Sequence, residues 1–150
     1  MEPTRQYDKE SLRHELIRDE GIRFQVYRDS LGYRTIGVGH LLRRNERYER
    51  ITQAVAMELL DRDIEDAEHK LTVMYPDWRT IDDVRQRALL NLTFNLGYKL
   101  NHFKAMAAMK AGDWASAATL LGKTLWYRQV KSRGPRILHM IRTGLPWLGA

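Results

Sequence analysis

Apolar residues recur at three- and four-residue spacing over most of this chain, which is the pattern of helices with one buried side. The longest such pattern begins at Thr52 and ends near Met74, just before Pro76, a residue that cannot continue a helix. An earlier helix is predicted over about Lys9–Glu20, ended by Gly21. Later helices are predicted over about 80–96 with a capping box at Thr80–Asp83, over about 103–111, from Asp113 onward, and over about 135–143.

Strand chemistry is concentrated in one stretch before the long helix. Phe24–Tyr27 and Tyr33–Gly39 flank a turn that contains Asp29 and Gly32, which predicts a β-hairpin. One hairpin beside many helices predicts an α+β fold in which helix dominates. The expected organisation is a single domain over 1–150, with a small hairpin lobe at about 12–51, a connecting helix at about 52–75, and a helical lobe formed by about 76–150 and the N-terminal helix.

Composition narrows the class of protein. The 43% hydrophobic and 29% charged content is that of a soluble globular protein, and no run approaches the roughly 18 apolar residues of a membrane span. The absence of cysteine excludes disulfides and thiol catalysis, and the five histidines lack close ligand spacing, so neither metal nor other cofactor is expected. The first sixteen residues contain acids and no apolar core, so we expect no secretory signal, a cytoplasmic protein and no stable membrane insertion.

Charge is distributed unevenly along the chain. The net charge is +6, and every charged residue after Asp113 is basic: Lys123, Arg128, Lys131, Arg133, Arg136 and Arg142. A basic face attracts polyanions such as nucleic acid, anionic lipid or anionic wall polymers, but a solvated helical surface has the same composition. Because no base-reading or stacking motif accompanies these cations, we expect no nucleic-acid partner.

Two carboxylates and a hydroxyl are expected to converge where the first helix meets the hairpin. Glu20 ends the helix, where the negative end of the helix dipole favours the protonated acid. Asp29 lies in the turn and Thr35 lies just after it. Cleavage of a glycosidic bond needs a proton donor and a second carboxylate on the opposite side of the anomeric carbon. Each residue alone also has an ordinary explanation, as a surface acid, a turn residue and a strand residue.

The stretch containing these residues resembles the signature of the phage-T4-type lysozymes, glycoside hydrolase family 24. The segment is DEGIRFQVYRDSLGYRTIGVGHLL. Three later segments resemble the later helices of that family, so that the resemblance covers most of the chain: VRQRALLNLTFNLG, FKAMAAMKAGDWASAA and WYRQVKSRGPRILHMIRTGLPW. The resemblance implies a lysozyme-like fold.

The resemblance also implies roles for individual residues. Glu20 would be the general acid, while Asp29 and Thr35 would hold the attacking water, which implies inversion at the anomeric carbon. His40 and Asp63 would form a structural pair. The implied substrate-binding residues are Leu41, Phe94, Asn95 and Arg133.

Some of these substrate contacts have open alternatives. Phe94 could instead be a core residue, and Arg133 could pair with Glu20 or with substrate carboxylates. Met106 and Leu120 stand where relatives carry polar groups, which puts substrate contacts there in doubt.

The implied activity is that of a phage endolysin, a muramidase that hydrolyses peptidoglycan between N-acetylmuramic acid and N-acetylglucosamine. We expect a monomer that waits in the cytoplasm of the infected host and reaches the periplasm and wall through a holin-type partner. Two alternatives stay open: a lytic transglycosylase, which needs one acid and forms an anhydro-sugar, and a basic wall-binding module without enzymatic activity. The presence of both Asp29 and Thr35 argues against the transglycosylase.

Overall fold

The computed structural model describes residues 3–149, which form seven α-helices, two 3₁₀ turns and one small sheet. The helices are α1 (Lys9–Glu20), α2 (Gln53–Met74), α3 (Asp83–Leu96), α4 (Ala105–Lys110), α5 (Trp114–Gly122), α6 (Leu125–Gln129) and α7 (Arg133–Thr143). The 3₁₀ turns are Trp78–Thr80 and Gly97–His102. The predicted α+β class with dominant helix is confirmed.

The sheet has three antiparallel strands in the order β1 (Arg23–Arg28), β2 (Arg34–Gly37) and β3 (His40–Leu41). The predicted hairpin corresponds to β1 and β2, in which Tyr27 pairs with Thr35. The third strand was not predicted from the sequence, because two residues are too short to show an alternating pattern. Beyond the sheet, Ile51 and Val26 take part in backbone hydrogen bonds that join the segment before α2 to β1.

The chain divides into two compact units, with the boundary at Asp66 and Ala67, inside α2. One unit is Lys9–Asp66, and its core surrounds Ile36, Ile51, Ala56 and Leu59. Helix α1 belongs to this unit, although the sequence had suggested that it joins the later helices. The single-domain organisation expected for residues 1–150 stays a prediction.

Of the described residues, the other unit contains 3–8 and 67–149. Helix α5 packs on α4 and α7, and α3 packs on α7. The side chains at the centre of this unit are fully buried and include Trp78, Leu89, Leu92, Met109, Ala117 and Ile137.

The end of α7 is held by a side chain from α3. The Arg85 guanidinium donates to the carbonyl oxygens of Ile141 at 2.7 Å and Arg142 at 3.0 Å. The last carbonyl groups of a helix have no partner within that helix, so these bonds satisfy acceptors that would otherwise face water. Gly144 then ends α7 in the left-handed conformation, at φ +69°, as the sequence predicted.

Of two capping residues predicted at helix starts, the structure confirms one and contradicts the other. Asp113 caps α5 as predicted, since its carboxylate accepts from the Ser116 amide at 3.2 Å. The predicted capping box at Thr80–Asp83 is wrong, because Thr80 lies in a 3₁₀ turn and Asp82 is the capping residue of α3. Asp82 accepts from the Arg85 amide at 3.1 Å. The short helix α6 was missed, because five residues carry too little periodicity.

Candidate active site

Glu20 is the last residue of α1. The helix ends there because Gly21 adopts φ +75° and donates its amide to the Ile17 carbonyl at 2.8 Å. Leu12 and Leu16 anchor the other side of α1 and are fully buried, whereas Glu20 is half-buried. The packing of the helix therefore fixes the point at which this carboxylate leaves the backbone.

The Glu20 carboxylate lies directly against the turn between β2 and β3. A β-carbon built on Gly39 would lie 2.6 Å from Glu20 Oε1, closer than any real contact of that kind. Gly39 also adopts φ +61°, a conformation that favours glycine. The absence of a side chain at Gly39 thus leaves space for the carboxylate. This allows the sheet and α1 to approach each other closely at Glu20, the predicted acid.

Asp29 follows β1 and organises the turn that leads to β2. Its Oδ1 accepts hydrogen bonds from the amides of Leu31 and Tyr33, both at 2.9 Å. Its own amide donates to the Tyr33 carbonyl at 2.9 Å, and its carbonyl accepts from Gly32. Within residues 3–149, Oδ2 makes no hydrogen bond. One oxygen of this carboxylate therefore shapes the turn, while the other remains open to a solvent molecule.

Thr35 lies in the middle of the sheet and is only 2% exposed. Its Cα pairs with Tyr27 on β1 and with Leu41 on β3. The Thr35 hydroxyl donates to the Tyr33 carbonyl at 2.9 Å. The backbone of Tyr33 thus links Asp29 to Thr35, a connection that sequence reasoning missed because main-chain contacts leave no residue signature.

His40 contacts two carboxylates, of which the sequence predicted one. Nδ1 lies 2.7 Å from Asp63 Oδ2, and Nε2 lies 2.9 Å from Glu46 Oε1. With both ring nitrogens facing carboxylate oxygens, the protonated imidazolium is favoured, because in that form both nitrogens donate. The hydrogen bond to Asp63 raises the pKa of His40, burial opposes the rise, and Glu46 adds to it.

Glu46 was missed because it lies in a polar stretch whose residue pattern gives no sign of a contact with His40. Its Oε1 also accepts from the Arg43 amide at 2.7 Å. Burial works against ionisation of Glu46, but the hydrogen bonds from Arg43 and His40 prevail and lower its pKa. The predicted contact between His40 and Asp63 is present, and its structural role stays a prediction.

Comparison with known proteins shows which family has a sequence like this one. The family model described as "Phage lysozyme" matches residues 18–138. The chain belongs to the phage lysozyme family. The family indicated by the residue pattern is thereby confirmed, and so is the expected enzyme class, a glycoside hydrolase of the lysozyme type.

Individual relatives agree with the family match. The chain is 33% identical over 168 aligned positions to the Pre-baseplate central spike protein Gp5 of Enterobacteria phage T4, covering 95% of this chain and 29% of that protein. It is 27% identical over 161 positions to Probable T4-type lysozyme 1 of Dictyostelium discoideum, covering 89% of this chain and 95% of the relative. The chain therefore spans less than a third of the spike protein and nearly all of the second relative.

The four expected substrate-binding residues have different surroundings. Leu41 is exposed on β3, in the unit Lys9–Asp66. Phe94 is half-buried and Asn95 is exposed at the end of α3, in the other unit, where Asn95 Oδ1 accepts from Trp126 Nε1 at 2.7 Å. Arg133 is buried and donates to Asn91 Oδ1 at 3.0 and 2.8 Å. Their roles in binding substrate stay predictions.

The basic C-terminal segment is less exposed than the sequence suggested. Arg133 and Arg136 are buried, at 6% and 9% exposure, so two of its six cations do not contribute to a continuous surface.

Of the two positions at which substrate contacts were left in doubt, Met106 is buried and Leu120 is half-buried. Among residues 3–149, no group of three or more acidic or histidine side chains could hold a metal ion. No helix in that part of the chain is long and apolar enough to cross a membrane.

Proposed function

We propose that the chain is a muramidase that hydrolyses the β-1,4 bond between N-acetylmuramic acid and N-acetylglucosamine in peptidoglycan. Membership of the phage lysozyme family supports this substrate. The observation that carries the proposal is the corner where α1 meets the sheet, formed by Glu20, Asp29, Thr35 and Gly39. There the Glu20 carboxylate lies against Gly39, and the backbone of Tyr33 fixes Asp29. Glycoside hydrolysis needs two carboxyl groups, and here they are held by separate structural elements.

In the proposed reaction, Glu20 gives its proton to the glycosidic oxygen as the bond from that oxygen to the anomeric carbon breaks. A water attacks the same carbon from the opposite face, and Asp29 takes its proton through Oδ2. The Thr35 hydroxyl hydrogen is engaged with the Tyr33 carbonyl, so Oγ1 can only accept a hydrogen bond, which would orient the water. Because the water attacks directly, the configuration at the anomeric carbon inverts.

We propose host cell lysis as the biological role, with a monomeric enzyme held in the cytoplasm and reaching the periplasm and wall through a holin-type partner. A second role is favoured by one finding. The relative with 33% identity is named as a pre-baseplate central spike protein. The same muramidase chemistry could therefore serve a phage particle at entry, in which case the chain would be found in purified particles rather than only in lysates.

The experiment that tests the activity is mass spectrometry of muropeptides released from purified peptidoglycan by the native protein and by Glu20→Gln. We expect reducing muramic acid ends from the native protein, an α-anomer as first product, and a loss of at least about 100-fold in Glu20→Gln, because no other group would protonate the leaving oxygen. Glu65→Gln, an exposed acid on α2, is the matched control and should behave as native.

Three other results would contradict the proposal in different ways. Anhydro-muramic ends would make the protein a lytic transglycosylase and would remove the role given to Asp29. Hydrolysis that persisted in Glu20→Gln would assign the acid to another residue. Peptidoglycan binding without release by either protein would leave a wall-binding module.

A further inference from the structure

One side chain in the sheet lies beside an expected catalytic residue. Tyr27 lies on β1 directly opposite Thr35, so the two side chains share a face of the sheet. Its ring is half-buried, and the Arg23 guanidinium carbon lies 4.8 Å from the ring centroid, a cation–π contact. The phenol is therefore held in place from the same strand.

Both expected catalytic carboxylates act electrostatically on Tyr27. Burial raises the pKa of Tyr27, the negative charge of Glu20 raises it further, Arg23 opposes the rise, and Asp29 adds to it. Both expected catalytic carboxylates are thus close enough to act on the phenol. A raised pKa also keeps the hydroxyl protonated, so it is a hydrogen-bond donor at any pH at which the enzyme would work.

That donor has no partner within residues 3–149, and because the side chain is only half-buried the hydroxyl is able to bond to a bound molecule. Elsewhere in the chain, the Tyr7 hydroxyl donates to Glu68 Oε2 at 2.8 Å and the buried Tyr75 hydroxyl donates to the Met109 carbonyl at 3.5 Å. Tyr48 and Tyr127 are also half-buried and make no hydroxyl hydrogen bond within residues 3–149, but Tyr27 alone of these three lies opposite Thr35, next to the expected catalytic residues. Because two carboxylates lie nearby, a neutral acceptor is favoured over an anion.

We propose that Tyr27 is a substrate-positioning residue whose hydroxyl donates a hydrogen bond to a neutral oxygen of the bound amino sugar, and that Arg23 holds its ring in the required orientation. This inference rests on the proposed function, since the ligand is the saccharide that Glu20 and Asp29 would cleave. It adds a binding contact from the sheet to the contacts that the sequence indicated.

The test compares kcat and KM of the native enzyme and Tyr27→Phe on purified soluble peptidoglycan fragments. Loss of one neutral hydrogen bond predicts a fall in kcat/KM of about tenfold, while the ring and the thermal unfolding midpoint are retained. Tyr98→Phe is the matched control, because Tyr98 is an exposed tyrosine that also carries a cation, Lys70, over its ring. It should match the native enzyme.

A double-mutant cycle separates the part played by Arg23. If Arg23 acts by holding the ring, Arg23→Gln should lower kcat/KM several-fold in the native background and change it little in Tyr27→Phe. Binding of the same fragments to Glu20→Gln with and without Tyr27→Phe supplies a readout that needs no turnover, and the affinity should also fall about tenfold.

The possible failures are distinguishable. An active native enzyme with Tyr27→Phe equal to it in kcat/KM and in affinity would overturn this inference and leave the proposed function intact. A loss of activity matched by an equal loss of folded protein would make Tyr27 merely structural. A native enzyme that neither cleaves nor binds the fragments would overturn both proposals.

Discussion

The contact between Gly39 and Glu20 allows the position of the predicted acid to be tested without changing the acid. In Gly39→Ala, the new β-carbon would lie 2.6 Å from Glu20 Oε1 and 2.9 Å from its carboxyl carbon. Ordinary van der Waals contact begins near 3.4 Å, so the carboxylate has to retreat by about 0.8 Å. It is the far end of a flexible side chain, so we expect it to move while the turn stays folded.

The two consequences of this substitution differ in size. A displacement of about 1 Å in a reacting group lowers the rate by roughly 100-fold, so we expect kcat/KM to fall about that much. Alanine at φ +61° is destabilised by about 1–2 kcal/mol. For a chain of this length that lowers the unfolding midpoint by roughly 2–8 °C, which leaves the protein folded at 25 °C.

Gly37→Ala is the control that separates strain from displacement. Gly37 has nearly the same backbone angle, φ +65°, but its β-carbon would meet Ile51 Cδ1 at 3.6 Å and Ala56 at 3.8 Å, both ordinary contacts. We therefore expect a similar loss of stability and little loss of activity. Muropeptide release and thermal unfolding of the two variants would be measured side by side. If both retained equal activity, the reasoning that Glu20 must occupy its present position would be refuted.

Two further predictions concern stability. Because the pKa of His40 is raised above its ordinary 6.5, the pairing of His40 with Asp63 stabilises the fold fully below pH 6.5, and this stabilisation is lost as pH rises through the folded pKa. In chemical denaturation, Asp63→Asn should therefore lower the free energy of unfolding by roughly 2 kcal/mol near pH 5.5 and by less at pH 9. An equal loss at both pH values would contradict this. Arg85→Met should lower the unfolding midpoint by roughly 4–8 °C, since it removes charged hydrogen bonds worth about 2 kcal/mol from the end of α7, and an unchanged midpoint in calorimetry would contradict that role.

The helices and the first hairpin could be predicted from the sequence because each has a local cause. Helix α1 ends at Glu20 since Gly21 is the residue that accepts a left-handed conformation, and α2 ends before Pro76 because proline cannot continue a helix. Strand β3 and helix α6 could not be predicted in this way. Each is too short to carry a period, and each exists only because a neighbouring element supplies its partner, as β2 does for His40.

The site shows the same division between local and tertiary causes. Spacing and resemblance were enough to select Glu20, Asp29 and Thr35 as expected catalytic residues. The second partner of His40 was not predictable, because Glu46 reaches it only after the loop from Arg43 folds back, and a sequence pattern does not show that return. Burial of Arg133 was missed for a related reason, since charge alone does not reveal which cations receive internal partners.

Asp29 shows why a structural and a chemical explanation of one residue need not compete. The turn uses Oδ1, which accepts from the amides of Leu31 and Tyr33. An asparagine oxygen would make the same two bonds, since both residues form turns of this kind. The turn therefore explains an oxygen at this position and leaves the negative charge unexplained. In the proposed reaction, acceptance of a proton from water requires that charge, and Oδ2 is the oxygen that the turn leaves available for it.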